Sequence, residues 1–132
     1  MIKEDYVSLE TAKLLKEKGF DEPCDFVYDE GKLEWIHHKF IFLGGKISTN
    51  SEFRDSEIIS APTLQMAMKW LREKHNIYID ILTYTTGNNI QFRWVGHEKG
   101  RLFSQEEDKT IYFGSHEQAC EAAIKYCLEK LI

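Results

Sequence analysis

Apolar residues recur at three- and four-residue spacing in three stretches of this chain and alternate in several others. The first helical stretch covers residues 9–18, where Leu9, Ala12 and Leu15 form a stripe with Leu14 beside it. Ser8 stands where an N-cap belongs. Gly19 suits the left-handed position after the last turn, and Phe20 should fold back onto Leu15. The second stretch opens near residues 60–63, with Ser60 as cap and Pro62 in the first turn. Leu64, Ala67, Met68 and Leu71 follow at i, i+3, i+4 and i+7, and Trp70 widens the stripe. Asn76 is expected to end it, with Ile77 packing back on Leu71. The third starts with a capping-box pair, Ser115 and Gln118. Ala119, Cys120, Ala123, Ile124, Cys127, Leu128 and Leu131 then mark one face, and Glu117, Glu121, Lys125, Glu129 and Lys130 the other.

Between these helices the period changes to two. Ile77, Ile79, Ile81 and Thr83 alternate with Tyr78, Asp80, Leu82 and Tyr84, while Ile90, Phe92 and Trp94 alternate with Gln91, Arg93 and Val95. A two-residue Gly87-Asn88 turn would set Thr83 opposite Phe92 and Ile81 opposite Trp94, joining both apolar sets on one face. Residues 24–29 and 32–37 read as another hairpin around Glu30-Gly31. Phe40-Ile41-Phe42-Leu43 reads as a short buried strand ended by Gly44-Gly45, and residues 109–113 as a last strand. Residues 46–59 and 98–108 read as mobile loops. Local pairing of strands between helices predicts an α+β fold, mainly an antiparallel sheet built from hairpins with three amphipathic helices packed on it. Lys13, Lys69 and Lys125 are spaced by 56, as are Glu17, Glu73 and Glu129, and Lys18, Lys74 and Lys130. The spacing admits an internal duplication. The limited vocabulary of amphipathic helices explains it equally, and the strands do not match residue for residue.

The length, 132 residues, predicts a single domain. A hydrophobic share of 42% excludes disorder. The net charge of −5 disfavours polyphosphate partners unless a basic patch is segregated. No run nears the ~20 apolar residues that span a bilayer, and Met1-Ile2-Lys3-Glu4-Asp5 is no signal-peptide core. Three cysteines, an odd number, point to reduced thiols and a cytoplasmic setting.

Candidate chemistry is sparse. Adjacent His37 and His38 would face opposite ways on a strand. His75, His97 and His116 fall near element ends, and no metal-ligand spacing occurs, so no metal site and no cofactor is expected. Cys120 and Cys127 read as core, leaving Cys24 as the one conceivable nucleophile, with no base beside it. Gly44-Gly45-Lys46 lacks the first glycine of a phosphate loop. The carboxylates Asp25, Asp29, Glu30 and Glu34, and the run Glu106-Glu107-Asp108, read as solvated surface. No catalytic residue is assigned.

Two surfaces remain. The outer face of the 77–97 hairpin would present Tyr78, Leu82, Tyr84 and Val95 with Asp80, Gln91, Arg93 and His97, a mixture that binding faces favour. Three helices must pack somewhere, which favours a covered face instead. If the face is open, Tyr78, Tyr84, Arg93 and His97 are the candidate binding residues. Lys69, Arg72 and Lys74 on the second helix form a candidate nucleic-acid strip, diluted by Glu73.

The blocks at residues 10–24, 60–75 and 117–126 resemble a family of small uncharacterised proteins from gut anaerobic bacteria and their phages and prophages. The resemblance covers the three helices and implies a phage or prophage accessory protein in the cytoplasm. It implies no activity and no site residue. The resulting expectation is a non-enzymatic protein-interaction module, monomeric or homodimeric. The alternatives are a nucleic-acid-associated protein using the second-helix strip, and a small enzyme whose site is assembled only in space.

Overall fold

The computed structural model describes residues 1–36, 49–53, 55–104 and 111–132. The fold is α+β, with three helices and two three-stranded antiparallel sheets among the described residues. The chain divides into two compact units, Met1–Thr63 and Leu64–Ile132.

The first unit begins with α1, Leu9–Glu17. Ser8 caps it by accepting from the Thr11 N–H at 3.2 Å. Its end is a Schellman stop: the Phe20 N–H bonds to Leu15 O at 2.8 Å and the Gly19 N–H to Lys16 O at 3.1 Å. Gly19 has φ +92°, open to glycine without a Cβ penalty. Two strands follow, β1 (Phe26–Asp29) and β2 (Lys32–Trp35), in register Asp29 to Lys32. Glu30 and Gly31 between them both have positive φ, the mark of a type I′ turn. A third strand, β3 (Ile58–Ser60), pairs with the other edge of β1, giving the order β2-β1-β3. Residues 46–59, read as a loop, therefore include the start of a strand buried along its whole length and a 3-10 turn at Asn50–Glu52. The expected strand at residues 40–43, with Gly44, Gly45, His37 and His38, lies outside the described residues.

One buried polar side chain ties this unit together. The Asn50 amide donates from Nδ2 to Phe20 O at 2.8 Å, and its Oδ1 accepts from the Ser60 N–H at 2.9 Å. Beside it the Ser51 N–H donates to Asp21 Oδ1 at 2.7 Å. Hydrogen bonds from the Ser51 hydroxyl and N–H hold the Asp21 carboxyl below its usual range. Tyr28 donates its hydroxyl to Val7 O at 2.6 Å, and Val7, Ala12, Leu15, Phe20 and Val27 are buried around these links.

The second unit is α2 (Leu64–His75), β4 (Ile77–Thr86), β5 (Asn89–Glu98), β6 (Arg101–Phe103) and α3 (His116–Lys130), with sheet order β4-β5-β6. Helix α2 starts at Leu64, four residues after the expected cap. Ser60 cannot cap it, because it is the last residue of β3, paired with Val27, and lies a full turn before the helix begins. Pro62 consequently precedes the first turn. Asn76, at φ +55°, ends the helix in the left-handed conformation that asparagine tolerates. In α3 the Ser115 hydroxyl accepts from the Gln118 N–H at 3.1 Å, but Gln118 Oε1 reaches back to the Gly114 N–H instead of Ser115. The capping box closes one residue early.

The β4–β5 hairpin has the expected register, Thr83 to Phe92 and Ile81 to Trp94, about a Gly87-Asn88 turn. Strand β6 lies inside the stretch 98–108 read as a loop. The Lys99-Gly100 pair, both at positive φ, folds it back with Glu98 opposite Arg101. Of the last expected strand, Phe113 forms one bridge to Phe92, with N–H···O bonds of 2.7 and 2.9 Å. Residues 109 and 110 lie outside the described residues, as do Glu106, Glu107 and Asp108. Helices α2 and α3 pack against the strands and against each other. Trp94 is 2% exposed, with Tyr126 at 5.2 Å and Phe103 at 6.0 Å between ring centroids.

Gly96 makes that aromatic packing possible. A Cβ built there would sit 2.3–2.9 Å from three carbons of the Phe103 ring. The ring is stacked on Tyr126, with centroids 6.1 Å apart, so it cannot simply swing away. Gly96→Ala is therefore expected to destabilise the fold by about 1–3 kcal/mol, the usual range for overpacking. Chemical denaturation followed by circular dichroism measures this, and an unchanged midpoint would contradict the packing argument.

Candidate functional site

Strand alternation sends Tyr78, Asp80, Leu82 and Tyr84 of β4 to one side of the second sheet and Ile77, Ile79 and Ile81 to the other. The helices take the second side. The first side is open, which corrects the expectation that helices or another layer cover it. Tyr78 is 48% exposed, Tyr84 37% and Leu82 36%. The helical residues that need burial, Ala119, Cys120, Ala123, Ile124, Cys127 and Leu128, satisfy it on one stripe, so nothing requires both faces of the sheet.

The four sequence-predicted binding residues share this open face. Tyr78 stands opposite His97 in the ladder, and Arg93 opposite Leu82. His97 Nε2 lies 2.9 Å from Asp80 Oδ2, a diagonal cross-strand pair. Arg93 is half-buried and the other three are exposed. Two further residues belong to the face and were not read from the sequence. Leu102 of β6 stands opposite His97 and is the most exposed of the set. Tyr112, 44% exposed, meets Tyr84 edge-on at 5.5 Å. The signal for Leu102 was the Lys99-Gly100 dipeptide, the same turn chemistry that gave Glu30-Gly31. With ~200 Å² per tyrosine side chain, the three tyrosines alone leave roughly 250 Å² in water, and the two leucines extend the patch.

The nucleic-acid candidates are less convergent. Lys69 and Lys74 are exposed and Arg72 is half-buried. At 100° per residue Lys74 stands about 140° around the helix from Lys69. Lys69 Nζ approaches Glu73 at 3.9 Å.

Among the described residues the thiols and imidazoles form no reactive centre. Cys24, Cys120 and Cys127 are buried. Burial pushes the Cys24 thiol up to about 12, Asp25 and Glu22 add to the rise, and the Ser60 hydroxyl works the other way. That hydroxyl is itself buried without a well-aligned hydrogen-bond partner among the described residues. Burial, then Glu98, pushes Cys127 up to about 12. His116 Nδ1 lies 3.6 Å from Cys120 Sγ, but Cys120 is 1% exposed and closed to a substrate. His75 packs on Trp70 at 4.7 Å. Among the described residues no three His, Cys, Asp or Glu side chains gather where a metal ion would sit.

A pH dependence follows. Both thiols titrate higher in the fold than at the ordinary 9.0, so the protonated thiols favour the folded state. Their contribution is complete below pH 9 and is lost as pH rises toward 12. A chromogenic disulfide reagent should label neither thiol in the native chain at neutral pH and all three cysteines once it is denatured. Rapid native labelling of Cys24 would reinstate it as a nucleophile.

No helix among the described residues is long and apolar enough to cross a membrane. No family model, no curated protein and no solved structure matches this chain.

Proposed function

We propose that this chain is a non-enzymatic protein-interaction module that captures a partner protein on the open face of the β4-β5-β6 sheet. The observation that supports it is the exposed row Tyr78, Leu82, Tyr84, Leu102 and Tyr112 around Arg93 and the Asp80–His97 pair. Tyrosines give large contact area at small entropic cost, and Arg93 with the Asp80–His97 pair can fix orientation. The resemblance of its helical blocks to the phage and prophage family supports reading it as an accessory protein of such an element, acting in the cytoplasm of the cell that carries it.

The test is capture from host-cell lysate by the tagged full chain and by the double variant Tyr84→Ala/Arg93→Ala. Both side chains lie on the open face, so the variant should keep the native circular dichroism spectrum and lose at least about tenfold in captured partner, the effect of removing two anchor residues. Undiminished capture by the folded variant would remove this face from the reading. Nucleic acid in both eluates, lost on replacing Lys69, Arg72 and Lys74 with Ala, would favour the second-helix strip instead.

A further inference from the structure

Strand β4 pairs with β5 over all ten of its residues and has no neighbour on its other edge among the described residues. The hairpin closes with Thr86 opposite Asn89, a pair that exchanges both backbone bonds in a two-residue loop. Bonded and non-bonded pairs alternate from there. Phe92 fits this alternation, since its N–H and C=O are both spent on Phe113. The backbone N–H and C=O groups of Ile79, Ile81, Thr83 and Thr85 therefore point away from β5, toward the open edge.

Natural edge strands are blunted by proline, lysine, bulges or short length. β4 has none of these: it reads Ile-Tyr-Ile-Asp-Ile-Leu-Thr-Tyr-Thr-Thr, and its ladder is uninterrupted. Its single charge, Asp80, is turned to the open face and held by His97. Its distal half also lacks a covering layer. Every residue from Leu82 to Gln91 is exposed, Ile90 at 57%. A two-stranded ribbon in water is marginal by itself.

We infer that β4 pairs antiparallel with β4 of a second copy of this chain, joining two three-stranded sheets into one of six strands. An antiparallel pair of identical strands has a two-fold axis, so the contact is closed and self-complementary. Registers that keep like faces together set even-numbered residues opposite even-numbered ones. Centred on Leu82, Asp80 faces Tyr84 of the second copy. Centred on Ile81, it faces Leu82. Neither opposes Asp80 to itself. The charge distribution also permits the approach. The net charge of −5 lies wholly in residues 1–63, whereas residues 64–132 hold nine Lys or Arg and nine Asp or Glu. The inference rests on the strand edge and stands apart from partner capture on the sheet face.

The test uses the full chain without any partner. Sedimentation equilibrium should give twice the monomer mass at high concentration. Amide exchange should show the Ile79, Ile81, Thr83 and Thr85 N–H groups protected there, with at least about tenfold less protection on dilution. Thr83→Pro removes an edge N–H that β5 does not use and should yield a monomer, whereas Thr83→Ala keeps that N–H and should still dimerise. A monomer at every concentration overturns the inference. So does a dimer in which the four amides exchange freely, or a folded Thr83→Pro dimer. If Thr83→Pro does not fold, the exchange pattern of the unaltered chain decides.

Discussion

Trp94→Ala should cost about 3–5 kcal/mol, the range for emptying a buried aromatic site. Trp94 is 2% exposed and sits on the helix side of β5, opposite Ile81 in the ladder. Tyr126 of α3 and Phe103 of β6 lean on it, at 5.2 and 6.0 Å. These partners come from different elements, so the void cannot be closed by one side chain turning. Removing the indole separates the sheet from α3 and strips β6 of the ring that Phe103 rests on. With a urea dependence of ~1–3 kcal/mol per molar, the unfolding midpoint should fall by about 2 M. Trp35→Ala is the natural comparison. Trp35 is 44% exposed on β2, and its loss should cost well under half as much. Equal losses for the two variants would show that Trp94 is not the anchor of its unit.

Asn50→Ala is the second large effect and arises from polarity. Asn50 is 8% exposed and serves two backbone groups at once, Phe20 O and the Ser60 N–H. Alanine leaves both without partners where water has poor access. A buried donor or acceptor left unmade costs about 1–3 kcal/mol, so the pair should bring the loss to roughly 2–5 kcal/mol. The amide also links the end of α1 to β3, elements 30 and 10 residues away from it in the chain. Its removal should show first as faster exchange of the Ser60 N–H. A Ser60 amide that stays protected, with stability unchanged, would mean that water replaces the side chain at no cost.

The helices were legible in the sequence because their signals are local. Ser8, Gly19, Phe20, Asn76 and Ser115 act within one or two turns of themselves, and each occupies its expected place. Ser60 failed as a cap because it is the last residue of β3, paired with Val27 from a distant part of the chain, and no local pattern encodes that pairing. The β4–β5 register was legible too, since a two-residue turn and a period of two leave one alignment that gathers Ile81, Thr83, Phe92 and Trp94 on one face. The short strands β3 and β6 were not, because three residues carry no period. They exist because a neighbouring strand offers its edge.

For the candidate face, the sequence by itself determined which residues share a side: Tyr78, Tyr84, Arg93 and His97 follow from alternation alone. Whether that side meets water was decided only in the tertiary structure. Helices α2 and α3 settle on the Trp94 side, where Ile77 is also buried, and once one face of the sheet satisfies both apolar stripes the opposite face is left open. The same packing brought Tyr112 and Leu102 to the face; the Lys99-Gly100 pair marks the turn before Leu102, but it does not say which strand receives the segment or which side meets water. Alternation is a property of one strand, but exposure belongs to the set of elements packed around it. That is why the membership of the face could be read from the chain and its openness could not.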